Sequence, residues 1–68
     1  MIRFINLTDQ IDEGKLFAFF DTITMQFITT GNNWCVWKTI KEFEEDYRSV
    51  YTHKGLDRFL NLIPDDWE

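Results

Sequence analysis

The chain has 68 residues, a formal net charge of −5 and a single cysteine. That length allows one domain, and the acidity argues against direct binding to nucleic acid or to an anionic membrane surface, since both favour basic faces. One cysteine excludes an internal disulfide, and no Cys/His set offers a structural zinc site.

Aromatic residues make up 18% of the chain, which favours a packed core over disorder. No apolar run approaches the roughly 18 residues of a membrane span. The N-terminal Met1-Ile2-Arg3-Phe4 does not open a secretion signal. A cytoplasmic, soluble protein is the expectation, and a lone thiol suits a reducing compartment.

Ile2 to Leu7 is rich in strand formers and predicts a first strand. Thr8 to Lys15 holds Asp9, Asp12, Glu13 and Gly14, which is turn chemistry, with Gly14 supplying a positive φ and Ile11 tucked back onto the core. Leu16 to Phe20 is the most apolar run and predicts the central strand. Asp21-Thr22-Ile23-Thr24 then predicts a tight turn, because an aspartate at the first position bonds amides further on. The alternative is one long bent strand from Leu16 to Thr30. Met25 to Thr30 predicts strand three, Gly31-Asn32-Asn33 a hairpin turn, and Trp34 to Trp37 strand four. Trp34 and Trp37 point to opposite faces of a regular strand, so one of them can fall on the sheet face that two short helices leave open; cover by strand twist and loops, or by a second copy, is favoured there over a site for a different partner.

The helix after this strand has the strongest local signals. Thr39 and Glu42 have the spacing of a capping box, in which the hydroxyl accepts from the Glu42 amide and the carboxylate reaches back. Ile40, Phe43, Tyr47, Val50 and Tyr51 share one helical face. Lys41, Glu42, Glu44, Glu45, Asp46, Arg48 and Ser49 fall on the other. Acidic residues crowd the first half, as the helix dipole favours, and His53 and Lys54 stand at the far end. The helix is expected over about Ile40 to Thr52, with Gly55 as its left-handed stop. Leu56, Phe59, Leu60 and Ile63 repeat the helical spacing, and Pro64 ends that second helix. Strands followed by helices predict an α+β domain: a small antiparallel meander of three to four strands, with two C-terminal helices packed on one face.

Chemistry is hard to find in this pattern. There is no Gly-x-Gly-x-x-Gly, phosphate loop or Gly-x-Ser-x-Gly. Ser49 reads as a surface serine, His53 as a charge at a helix end, and Cys35 as a buried, inert thiol. Glu44 and Arg48 have the Glu-first spacing of an exposed ion pair. Catalytic, metal-binding and cofactor-binding residues are therefore all expected to be none.

Four carboxylates fall within five consecutive positions at Glu42, Glu44, Glu45 and Asp46, and Asp65, Asp66 and Glu68 add a second acidic cluster. These residues suit a partner surface facing a basic protein, with Trp67 as an apolar anchor between Asp66 and Glu68. The plain alternative is a solvated acidic face and a Trp67 that caps the core. Small size, acidity and aromatic content are also a compositional analogy with inhibitors that phages and mobile elements encode against basic or nucleic-acid-binding proteins. A non-catalytic interaction module is the first functional expectation. A homodimer whose sheet faces self-associate is the second, and a very small enzyme the third.

Overall fold

A computed structural model of the chain describes residues 1–8, 14–30, 34–51 and 54–67. Three antiparallel strands, β1 (Ile2–Asn6), β2 (Phe17–Asp21) and β3 (Gln26–Phe27), form one sheet in the order β1-β2-β3. Two helices follow, α1 (Ile40–Tyr51) and α2 (Leu56–Leu60). This is the expected α+β meander with C-terminal helices, with a strand count of three.

The register explains which side of the sheet becomes the core. Phe4 lies opposite Phe19, and Asn6 opposite Phe17; the alternate pairs are Ile5 with Ala18 and Arg3 with Phe20. Directly opposed residues share a face. Phe4, Phe17 and Phe19 therefore meet the helices, and Phe17, Phe19 and Phe43 are the largest fully buried side chains. Their rings interlock at edge or tilted angles, with centroids 4.9 Å apart for Phe19–Phe43, 4.8 Å for Trp37–Phe43 and 5.1 Å for Phe19–Phe59. Such pairs add about 0.5–1.5 kcal/mol each beyond the area they bury, which matters in a chain too short for a large core.

The turn after β2 forms as its sequence suggests. The Asp21 carboxylate accepts from the Ile23 amide at 2.9 Å, and the two strands part there, so Leu16 to Thr30 is not one long strand. Met25 closes the turn with φ of 59°, a left-handed conformation that a side chain disfavours. Gly14 has the expected positive φ, 84°.

Strands three and four are shorter than expected, and the reason is geometric. β2 has one edge left after pairing with β1, and two segments share it. Its C-terminal half takes β3, extended by the Ile28 amide donating to the Phe19 carbonyl at 2.8 Å. Its N-terminal half takes a bridge, in which Phe17 and Trp37 exchange both backbone hydrogen bonds at 2.9 Å. The expected strand Trp34–Trp37 is thus reduced to Trp37. The expected turns over Asp9–Glu13 and Gly31–Asn33, the position of Ile11, the Thr52 helix end, and the roles of His53 and Glu68 lie outside the described residues.

α1 starts where its cap predicts. The Thr39 hydroxyl accepts from the Glu42 amide at 3.1 Å. The return bond is displaced by one residue: the Glu42 carboxylate accepts from the Lys38 amide at 3.1 Å instead of that of Thr39. The buried stripe is Phe43 and Tyr47, with Ile40 packed at its edge, while Val50 and Tyr51 in the last turn are exposed. Gly55 holds φ of 79° immediately before α2, in the left-handed region foreseen for it. α2 buries Leu56 and Phe59, and Ile63 beyond it is buried too. Among the described residues no helix is long and apolar enough to cross a membrane.

Candidate functional site

Two of the seven described residues of the expected partner surface turn inward. Asp46 is 8% exposed. Its carboxylate accepts from the Trp37 indole at 3.0 Å and from the Thr30 hydroxyl. It stands three residues after Phe43 and one before Tyr47, at the flank of the apolar stripe, so a modest rotation of the helix brings it to the sheet edge. A buried carboxylate persists where such donors satisfy it. Asp46 ties α1 to the two chain segments on either side of residues 31–33, and it is a structural residue before it is a surface one.

Trp67 is the second. It is 4% exposed and belongs to the ring cluster, 5.4 Å from Phe4 and 5.3 Å from Phe17. Its indole donates to the Lys38 carbonyl at 3.1 Å, and the Lys15 ammonium lies 4.7 Å from its ring centre. The core-cap alternative describes this position, and an exposed anchor does not.

The Lys38 backbone now becomes a junction. Its carbonyl holds Trp67, and its amide holds the Glu42 carboxylate. The exposed turn that carries Asp65 and Asp66 is thereby moored where α1 begins. Asp65 and Asp66 are exposed in that turn, and Glu42 and Glu45 are exposed on α1. Glu44 forms the foreseen pair with Arg48 at 3.5 Å. That pair is partly exposed and contributes little to stability.

Beside this junction lies a groove of about 510 Å³. Leu16, Trp34, Val36 and Trp37 give it an apolar side. Glu42, Glu45 and Asp46 give it an acidic side, and Lys38 completes the lining. Trp34 is 58% exposed and lies outside the strands, so it is not on a sheet face as a regular strand four would have placed it. Sequence reasoning did not connect it with the carboxylates of α1, because the Phe17–Trp37 bridge and the Trp37–Asp46 bond that fix that segment join residues distant in the chain.

The remaining reactive groups offer little chemistry. Cys35 is half-buried, more accessible than the inert core position expected of it. The Ser49 hydroxyl donates to the Asp46 carbonyl one turn back. Burial pushes the Tyr47 phenol above its ordinary pKa, the neighbouring Tyr51 adds to this, and Arg58 opposes it; the phenol donates to the Lys54 carbonyl. Among the described residues no group of three His, Cys, Asp or Glu side chains could hold a metal ion. No protein-family model, curated protein or solved structure matches the chain.

Proposed function

We propose that this protein is a small non-catalytic interaction module that engages a basic protein through the acidic surface at the start of α1. The observation that carries the reading is that Glu42 and Glu45 are exposed at the start of α1, and Asp65 and Asp66 are exposed in the turn whose Trp67 is moored to Lys38, in a chain of net charge −5. Clustered charge of one sign steers an oppositely charged partner and makes association salt-sensitive. Inhibition of a basic or nucleic-acid-binding protein in the cytoplasm, of the kind that phages and mobile elements encode, suits that surface.

The test is capture of basic proteins from native lysate in low salt, with the wild type beside a Glu44→Lys/Glu45→Lys variant. Capture that falls on charge reversal and in high salt supports the reading. Equal capture at equal rate by the reversed protein sinks it, and the acidic face is then only solvated surface.

A homodimer is the second reading. Ile23, Met25 and Phe27 are all exposed at the β2–β3 turn and its strand, where an apolar edge invites a second copy. Light scattering separates the two: a particle of twice 8.3 kDa favours the dimer.

A further inference from the structure

We propose that the groove between Trp34 and α1 receives an arginine side chain from a basic segment of the partner protein; this rests on the reading that the acidic surface meets a basic protein. The groove volume of about 510 Å³ falls in the range of sites that enclose a ligand group. Its lining combines an exposed indole with three carboxylates against one ammonium, so the charge it complements is positive.

The chemistry distinguishes arginine from other cations. A guanidinium is planar and weakly hydrated, stacks on an aromatic face, and presents donors in a fork that fits carboxylates. Trp34 stands outside the core cluster, which leaves an indole surface for that stacking. Glu45 is exposed across the groove and is not needed for the helix cap, which uses Thr39 and Glu42. Leu16 and Trp37 are buried beneath, and they provide an apolar floor for the methylene stem. A lysine ammonium is a compact, strongly hydrated charge and gains less from such a wall.

The test is fluorescence anisotropy of fluorescein-labelled octa-arginine and octa-lysine peptides titrated with the full chain at low ionic strength. Wild type is expected to bind octa-arginine about fivefold tighter than octa-lysine. Trp34→Ala and Glu45→Gln should each erase that preference, Trp34→Phe should retain most of it, and Asp57→Asn, on the exposed side of α2, should leave it intact. Melting curves check that each variant is folded. Equal binding of the two peptides by wild type, or an undiminished preference in folded Trp34→Ala, overturns the arginine groove while salt-sensitive binding of both peptides keeps the acidic-module reading standing. If neither peptide binds wild type in low salt, that broader reading fails, and the groove assignment fails with it.

Discussion

The C-terminal turn and the segment leading into α1 each carry a tryptophan near carboxylates, and they use it in opposite ways. Trp67 has a backbone acceptor in Lys38, ring partners in Phe4 and Phe17, and a cation over its face. Trp34 lies outside that cluster and keeps 58% of its surface in water. An indole enters a core readily when its N–H finds an acceptor and its ring finds edges. What separates the two is therefore the arrangement of partners supplied by the fold, since Trp34 opens the apolar run Cys35-Val36-Trp37 and stays exposed, while Trp67 follows Asp65-Asp66 and is buried. The anchor role that acidic neighbours suggest for Trp67 needs exposure that Trp67 lacks, and the arginine-groove proposal gives it to Trp34.

The comparison breaks most easily at its buried side. Trp67→Ala removes a core ring and orphans the Lys38 carbonyl; it should cost about 3–5 kcal/mol in chemical denaturation. A loss under about 1 kcal/mol would mean the turn is not docked. Asp46→Ala should cost about 3 kcal/mol, because the Trp37 indole and Thr30 hydroxyl lose a buried acceptor. Asp46→Asn, which keeps an oxygen, should cost clearly less, and equal losses in the two variants would speak against those bonds.

Gly55→Ala sharpens the account of how α2 is placed. A Cβ there would sit 2.9 Å from the Tyr47 hydroxyl, at a φ of +79°. The buried ring has little room to retreat, since its hydroxyl is held by Lys54. Calorimetry should show a loss of about 2 kcal/mol, and an unchanged melting temperature would contradict the left-handed turn. Thr39→Ala has the smallest expected effect. It removes one cap bond, for about 1 kcal/mol, or several degrees of melting temperature in so small a domain.

Local chemistry explains which features were legible in the sequence. The Thr39 cap, the Asp21 turn, Gly14, Gly55 and the Phe43–Tyr47 stripe all depend on residues within a few positions of one another, and each was readable. The order of strands and helices followed from them. What was not readable depends on distant pairs. Asp46 turns inward because a donor nine positions away and another sixteen away converge on it. Trp67 is buried because of an acceptor 29 positions away. Strand four shrank because β2 has a single edge to share, a property of the assembled sheet. The candidate groove was half legible: its carboxylates are readable from their places on the helix, and its aromatic wall joins them through the bridge at Trp37 and the Trp37–Asp46 bond.

Acrylamide quenching of tryptophan fluorescence in the native protein tests the central claim, that Trp34 is available at the groove and Trp67 is not. With three tryptophans present, the account predicts one readily quenched component. Trp34→Phe should remove it, while Trp67→Phe, in folded protein, should leave it in place. If Trp34→Phe leaves the quenching unchanged and Trp67→Phe abolishes it, the exposed anchor is the C-terminal indole and the groove loses its aromatic wall.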